Sequence, residues 1–353
     1  MIPISFCIIA RNEERHIEKC LMRLQTKFEE YPHEIVIIDT GSTDRTKEIA
    51  RKYTKKIYDY VWSDDFSEAR NESIRRATYD WVFIIDCDEY LEKIDMNEFA
   101  HQITSFDNNV IGTFSLRNAS IEEGKKIFSI EKCSRLFSRK HFEYKGRIHE
   151  QLVSLLDKEA KKFVDIPLMF YHNGYAENPK EKGQRNIKLL KMELADGGAD
   201  PYIFYQLGKA YHMVEQPEKA LVYYERALGY DLDPKVNYVQ NLVEAYGYCL
   251  IEIGYQKEAI NLVRVYNEFA VRADFYFLMG HIYMNNGFFG KAVKEFEKAT
   301  KSHIYRVEGV NGHKAYYNIG VIYECIGNKE KAIKFYSKCG QYEKALKRLN
   351  QIK

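Results

Sequence analysis

One spacing pattern after Pro201 constrains the fold of this chain more than any other feature. Four glycines, each preceded by a large apolar or aromatic residue, are each followed twelve residues later by an alanine. The alanines are 39, 33 and 40 residues apart, and an aromatic residue stands four positions beyond three of them. Small residues let two helices cross closely, so the pattern predicts stacked pairs of helices. The pairs are Gly208 and Ala220, Gly247 and Ala259, Gly280 and Ala292, and Gly320 and Ala332.

This pattern resembles the tetratricopeptide repeat, a helix–turn–helix unit of about 34 residues. The resemblance implies an all-α solenoid over residues 201–353, with about four repeats and a C-terminal capping helix over 341–353. The second repeat is degenerate, because it carries Leu250 and Val263 where other repeats carry aromatic residues. Repeat arrays offer a concave surface for an extended peptide or a convex surface for self-association. We therefore expect a peptide or protein partner, or a homodimer formed through the repeats.

The first half of the chain instead alternates short apolar runs with amphipathic segments. Apolar strands separated by helices indicate a mostly parallel sheet that is covered on both faces. The predicted strands of this part are Ile4–Ala10, Glu34–Asp39, Tyr58–Val61 and Asp80–Asp86, with helices over 14–28, 42–52 and 66–77.

Residues 110–170 follow a third pattern, short β-like runs with basic connections, which predicts an antiparallel extension of the same sheet. The runs are Val110–Leu116, Ile127–Ile130, Cys133–Ser138 and Phe163–Tyr171. A helix over 178–194 and a Gly-rich break at 197–201 follow. The sequence thus predicts a first domain over 1–175, a linker helix over 176–200 and a repeat domain over 201–353.

Polar residues stand where the predicted strands end. In parallel sheets, ligands bind outside the carboxyl ends of the strands. Asp86 and Asp88 follow the fourth strand as a D-x-D triplet, and two such acids can hold a divalent cation beside a diphosphate. A turn that merely ends the strand is the alternative interpretation of the triplet.

Four motifs in this half strongly resemble family 2 glycosyltransferases, which are inverting enzymes with the Rossmann-like α/β GT-A fold. The motifs are C-I-I-A-R-N-E-E from Cys7, I-D-T-G-S-T-D from Ile38, D-D-F-S-E-A-R-N from Asp64, and the D-x-D triplet. The resemblance implies a UDP- or GDP-sugar donor and Mn²⁺ or Mg²⁺ held by Asp88. A turn cap is the alternative role for Asp39, and a surface charge is the alternative for Arg70. The residues that it implies for donor binding are Arg11, Asn12, Glu13, Asp39, Arg70, Asp86, Arg135 and Arg147.

A second segment, R-L-F-S-R from Arg135 and Y-K-G-R-I-H-E-Q from Tyr144, resembles glycosyltransferases with C-terminal tetratricopeptide repeats. These include the peptide S-glycosyltransferases of glycopeptide bacteriocins. The resemblance makes Glu150 the candidate base that deprotonates the acceptor, with a salt bridge to Arg135 or Arg147 as the alternative. His149 and His172 are candidate metal or phosphate contacts. A structural role is the alternative for both histidines.

Charge and cysteine content exclude several classes of protein. The 53 Lys and Arg residues nearly balance 51 Asp and Glu, which argues against a nucleic-acid partner. The seven cysteines are scattered without a C-x-x-C pair, which favours reduced thiols in a cytoplasm. The sequence contains no apolar stretch long enough to span a bilayer. We expect a soluble cytoplasmic protein.

The sequence predicts a metal-dependent inverting glycosyltransferase, with a hexosyl group as the moiety transferred and a peptide or protein side chain as the acceptor. Three alternatives stay open at this point. A cell-surface saccharide is another acceptor class, and a nucleotidyltransferase also uses paired acids on a parallel sheet. The third alternative is a repeat scaffold with an inactive first domain.

Overall fold

The computed structural model describes residues 1–122, 125–156, 161–173, 179–197 and 200–352. The chain divides into two compact units: Met1–Asn178 with Lys188–Asp196, and Pro179–Ile187 with Gly197–Lys353. The predicted linker over 176–200 includes five residues outside the described ranges, namely 176–178, 198 and 199. Residues 174 and 175, which end the first predicted domain, also lie outside them.

The described part of the first unit contains one eight-stranded sheet and one two-stranded sheet. The strand order in the large sheet is β3-β2-β1-β4-β7-β6-β10-β5, and β8 pairs with β9. The strands are β1 Ile4–Ala10, β2 His33–Asp39, β3 Ile57–Asp59, β4 Trp81–Asp86, β5 Glu89–Ile94, β6 Val110–Glu122, β7 Lys125–Ser138, β8 Phe142–Lys145, β9 Gln151–Ser154 and β10 Lys162–Asn173.

The pairing confirms the predicted fold class. Strand β1 runs parallel to β2 and to β4, and β2 runs parallel to β3. Strand β7 is antiparallel to both β4 and β6, while β10 is parallel to β6 and antiparallel to β5. Several details of the prediction were wrong. Ile127–Ile130 and Cys133–Ser138 belong to the single strand β7, and β5, β8 and β9 were missed. Strand β10 also runs parallel to β6, inside the extension that was predicted to be antiparallel.

Apolar side chains on both faces of the sheet build the core. Phe6, Phe83 and Phe28 are fully buried in the larger cluster, with the apolar side of the first helix. Val82 and Phe137 belong to a smaller cluster on the other face. This two-sided burial explains why the strands read as continuous apolar runs. The helices are α1 Ile17–Lys27, α2 Thr46–Ala50, α3 Phe66–Arg76 and α4 Met96–Thr104, and the helix α5 Pro179–Ala195 is divided between the two units after Ile187.

The second unit is helical after Asp200, whose side chain caps the first repeat helix by accepting from the Ile203 amide. Its helices are α6 Pro201–Met213, α7 Pro217–Leu228, α8 Asn237–Glu252, α9 Gln256–Ala259, α10 Tyr266–Phe269, α11 Ala273–Asn285, α12 Phe289–Lys301, α13 His313–Cys325, α14 Lys329–Ser337 and α15 Glu343–Ile352, with a 3₁₀ segment over Ile260–Val265.

The repeat glycines are required by close helix packing. A Cβ atom on Gly208 would lie 2.3 Å from the Tyr224 ring, and one on Gly280 would lie 2.6 Å from Phe296. The second repeat differs, because Gly247 faces Leu262 instead of an aromatic ring. The predicted position Val263 is 47% exposed and does not fill this space. The repeat with the degenerate pattern is therefore also the one whose second helix is broken into α9, a 3₁₀ turn and α10.

Among the described residues, no helix is both long enough and apolar enough to cross a membrane.

Candidate functional site

The carboxyl ends of β2, β1 and β4 bring two predicted site residues to one edge of the sheet. Ala10 at the end of β1 pairs with Asp39, and Ile9 pairs with Asp86. Neighbouring strands lie about 4.8 Å apart, so the two aspartates are separated by about 10 Å across β1. This edge is where the sequence placed the donor-binding residues.

Asp39 is buried and only half satisfied. Its Oδ1 accepts hydrogen bonds from the Gly41 and Ser42 amides, at 3.1 and 2.9 Å. Gly41 has φ 103°, a left-handed conformation that favours glycine, and this turn aims both amides at the carboxylate. Asp39 Oδ2 is buried and has no hydrogen-bond partner within the described ranges. The turn-cap role, which was the alternative to a nucleoside contact, thus accounts for Oδ1 and leaves Oδ2 without a partner in the described part of the chain.

The loop after β1 is tied to the loop after β2. The Asn12 amide donates to Ser42 Oγ at 3.0 Å, and Asn12 Oδ1 accepts from the Thr43 amide at 2.8 Å. The Glu13 amide donates to Thr46 Oγ1 at 2.7 Å. Asn12 and Glu13 therefore help to fix the two loops at this edge of the sheet. Arg11, which directly follows β1, is exposed.

A connected set of ion pairs, which we call the edge network, follows β4. Arg70 Nη2 lies 2.9 Å from Asp86 Oδ1, and Arg70 Nε lies 3.3 Å from Glu150 Oε1. Arg135 Nη1 lies 3.1 Å from Asp86 Oδ2 and 2.9 Å from Glu89 Oε2. Glu150 thus pairs with Arg70, rather than with Arg135 or Arg147 as the alternative interpretation required.

The edge network contains two acids whose pKa values are shifted in opposite directions. Burial alone would raise the pKa of Asp86, but Arg70 and Arg135 hold that pKa well below its usual range. Burial raises the pKa of Glu89 to about 7, because Arg135 only partly offsets the desolvation and Asp86 adds repulsion. Glu89, 2% exposed, also accepts from the Asp86 amide at 3.2 Å. Glu89 thus positions Arg135 and Asp86 together.

The Asp88 side chain contacts a histidine. Its Oδ2 lies 2.9 Å from His172 Nε2, and His172 Nδ1 lies 2.8 Å from Asn118 Oδ1. Strand β10 pairs with both β5 and β6, and this pairing brings His172 beside Glu89 and Asn118.

Among the described residues, no three His, Cys, Asp or Glu side chains form a group able to hold a metal ion. His149, with φ 55°, is therefore not grouped with Asp88 and His172.

Arg147 lies outside the edge network. Its amide donates to Glu193 Oε2 at 2.6 Å, and its Nε lies 2.8 Å from Asp196 Oδ2. Both acids follow Lys188 and belong to the first unit. Arg147 therefore ties the segment before Glu150 to the end of α5.

Sequence reasoning missed Glu89, Asn118 and Asn71. Glu89 directly follows the D-x-D triplet. A third acid next to the two aspartates was a signal in the sequence that could have been used. Asn118 lies in β6 and stands in no pattern that singles it out, whereas Asn71 in α3 is the last residue of the D-D-F-S-E-A-R-N motif, a signal that could have been used.

Comparison with known proteins gives a family match for each part of the chain. Residues 5–161 match the family model Glycosyl transferase family 2. Residues 201–234, 273–302 and 313–346 match the model Tetratricopeptide repeat, which leaves the degenerate second repeat unmatched.

Two curated relatives each match more than half of the chain. The SPbeta prophage-derived glycosyltransferase SunS of Bacillus subtilis (strain 168) is 30% identical over 243 residues, covering 64% of this chain and 53% of that protein. A TPR repeat-containing protein of Synechococcus elongatus is 30% identical over 218 residues, covering 59% of this chain and 52% of that protein. The chain thus spans about half the length of these relatives. Among solved structures, the crystal structure of MamA is 23% identical, with a TM-score of 0.38, covering 50% of this chain and 97% of that one.

Residues 5–161 are therefore similar to family 2 glycosyltransferases, and they are followed by matches to the tetratricopeptide repeat.

Proposed function

We propose that this protein transfers a sugar from a nucleotide-diphosphate sugar, with UDP-sugar favoured, to an acceptor with inversion at the anomeric carbon. The family of the first domain and the glycosyltransferase named among its relatives support this proposal. Such a reaction needs three kinds of group: an acidic residue that binds the nucleoside, arginines near the diphosphate, and one general base.

The observation that carries the proposal is a pair of buried groups without partners at the sheet edge. Within the described ranges, Asp39 Oδ2 lacks a hydrogen-bond donor and Arg70 Nη1 lacks an acceptor. Each unsatisfied buried group costs about 1–3 kcal/mol. A nucleoside N–H or ribose hydroxyl would satisfy Asp39, and a phosphate oxygen would satisfy Arg70. A nucleoside diphosphate offers both groups in one molecule.

A divalent cation fits the chemistry of the Asp88 and His172 side chains. Mg²⁺ is commonly held by one or two protein ligands together with substrate phosphates, so a cluster of three protein ligands is not required. A bound Mn²⁺ or Mg²⁺ would neutralise charge on the diphosphate leaving group. Asp86 is less suited to this role, since each of its oxygens already accepts from an arginine.

Glu150 is the proposed general base. It would take the proton from the acceptor as the acceptor atom forms a bond to the anomeric carbon, and the bond from that carbon to the diphosphate would break. A single displacement of this kind inverts the anomeric centre and needs no covalent nucleophile on the protein. The contact with Arg70 uses Glu150 Oε1, so it holds the carboxylate beside an arginine that is proposed to bind the sugar nucleotide.

A peptide or protein side chain is the proposed acceptor, because tetratricopeptide repeats offer a surface suited to extended peptides. A cell-surface saccharide is the competing acceptor class. Dimerisation through the repeats and a cytoplasmic location stay predictions from the sequence.

Nucleotide release from a panel of UDP- and GDP-sugars tests the function, with Mn²⁺, Mg²⁺ or EDTA present. We expect slow release from a UDP-sugar with metal, and none with EDTA. Asp88→Asn should abolish release without changing the far-UV circular dichroism, whereas Asp165→Asn, an exposed aspartate of β10, should act as the wild type. Turnover at full rate in EDTA would exclude the metal, and release from no sugar nucleotide would exclude the function.

A further inference from the structure

Helix α3 holds the segment that carries Glu150, here called the base-bearing segment and comprising residues 144–150. Three successive contacts join the two. The Phe66 amide donates to the Arg147 carbonyl at 2.8 Å, Arg70 pairs with Glu150, and the Asn71 side chain binds the Tyr144 main chain.

The Asn71 contact resembles a pairing between two strands. Asn71 Nδ2 donates to the Tyr144 carbonyl at 2.9 Å, and Asn71 Oδ1 accepts from the Tyr144 amide at 2.9 Å. One side chain thus satisfies both main-chain polar groups of a residue 73 positions away. The Tyr144 ring is 6% exposed, and the Arg70 guanidinium lies 5.9 Å from its centre. The same turn of α3 therefore fixes the start of the segment and contacts its final carboxylate.

The path between these two anchors is sharply bent. Gly146 has φ 101° and His149 has φ 55°, so two of the residues before Glu150 adopt left-handed conformations. For a non-glycine residue such a conformation is uncommon and persists when the surroundings hold it. Because these left-handed conformations depend on their surroundings, the position of the carboxylate depends on the contacts at both ends of the segment together with those of Arg147.

We propose that Asn71 is a positioning residue for the transfer reaction, which holds the base-bearing segment so that Glu150 reaches the acceptor. This inference rests on the proposed function and on Glu150 as the base. Asn71 makes no contact with the D-x-D residues among the bonds described here, and its effect passes through Tyr144 to Glu150. Misplacing a catalytic group by about 1 Å can lower a rate by about a hundredfold.

Two variants of the full chain test this role. Asn71→Asp keeps the shape and the acceptor but places an oxygen against the Tyr144 carbonyl, and Asn71→Leu removes both bonds without adding charge. The assay is UDP release to water from whichever of UDP-glucose, UDP-galactose and UDP-N-acetylglucosamine the wild type hydrolyses fastest with Mn²⁺. We expect kcat to fall about 10- to 100-fold in both variants, while KM and the Kd for UDP change less than about twofold.

A double variant separates positioning from a general structural role. If Asn71 acts through Glu150, adding Asn71→Leu to Glu150→Gln should cause almost no further loss of rate, because the base is already absent. Hydrogen exchange of peptides covering 142–150 should rise in Asn71→Leu. Asn97→Asp, an exposed asparagine in α4, is the matched control and should change neither rate nor exchange.

Three outcomes would overturn the inference while the proposed function stands. These are a wild-type kcat in both Asn71 variants, a loss of UDP affinity as large as the loss of rate, and losses that multiply in the double variant. A wild-type protein that releases nucleotide from none of these three sugars and from no other UDP- or GDP-sugar would overturn the proposed function itself, and this role of Asn71 with it.

Discussion

Each unit of the molecule buries an arginine among acids and amides, but the two arginines differ in how completely they are bonded. In the second unit, Arg272 donates from Nε to Glu244 at 2.8 Å, from Nη1 to Asn237 at 3.2 Å and from Nη2 to Asn241 at 2.6 Å. In the first unit, Arg70 donates from Nε and Nη2, while Nη1 is buried without a partner in the described part of the chain.

This difference separates a structural arginine from one suited to a ligand. Arg272 precedes α11 and all its partners lie in α8, so its bonds join two successive repeats. A fully bonded buried guanidinium stabilises a single arrangement of helices, whereas an incompletely bonded one retains a donor for phosphate. Burial of charge alone therefore does not identify a functional site.

Loss of the proposed base or of Asp88 should give the largest effects and would locate the chemistry in the first unit. Glu150→Gln should cut transfer by about 10²–10⁴-fold, the usual range for a positioned base, with little change in UDP affinity. Asp88→Asn should weaken binding of UDP with Mn²⁺ as well. Calorimetry and initial rates measure the two quantities, and Glu143→Gln in β8 is the matched control.

The nature of the acceptor atom can be obtained from the same variant. For a thiol acceptor the loss should shrink as the pH approaches about 8.5, because the thiolate then forms without a base. A hydroxyl acceptor should show no such recovery. Wild-type transfer by Glu150→Gln at every pH would place the base elsewhere.

Arg272→Met should destabilise the fold rather than impair ligand binding. It leaves Glu244 buried with only Arg306, whose Nη2 is 3.9 Å from Oε2, so we expect a loss of about 3–5 kcal/mol in the free energy of unfolding. Urea denaturation measures the loss, with the exposed Arg264→Met as control. Adding Glu244→Leu should restore much of the stability. A melting curve unchanged by Arg272→Met would contradict the structural role of this arginine.

Acid should destabilise the repeats through His281. This ring contacts Phe277 and Phe296 and lies 3.1 Å from Asn318 Nδ2, and burial lowers its pKa from 6.5 to about 4. Because the unfolded chain binds the proton more readily, stability should fall as the pH drops from 6.5 through 4, by up to about 3 kcal/mol. Thermal unfolding between pH 7 and 4 measures the slope, which His281→Gln should reduce and His303→Gln should not.

Arg70→Lys should give the smallest effect and bears directly on the comparison of the two arginines. Lysine keeps the charge beside Asp86 and Glu150 but cannot present a third nitrogen in the same plane, as Arg70 does with its unused Nη1. We expect UDP affinity to fall about tenfold, with a smaller change in melting temperature than Arg272→Met causes. A large drop in stability with unchanged UDP affinity would make Arg70 a structural arginine like Arg272.

Much of the fold could be predicted because its signals are local. The strand at Ile4–Ala10 was predicted with its observed bounds, and three repeats follow from the spacing of glycine, alanine and aromatic residues. Strand β5 was missed because it begins one residue after the D-x-D triplet, where acids favour a turn. Strand β7 was divided at Glu131 and Lys132, whose polar side chains interrupt the apolar pattern although both residues pair with β6.

The sequence by itself determined which residue types stand at the carboxyl ends of the strands, since strand periods and chain order decide where each strand stops. Tertiary structure alone decided how those residues pair. Arg70 and Glu150 are 80 positions apart, and Asp88 and His172 are 84 apart. A charge has no sequence pattern that marks its partner, because Coulomb attraction and hydrogen bonding depend on distance and burial in the folded chain. For the same reason Arg147, which the sequence placed with the donor, pairs with Asp196 near the end of α5.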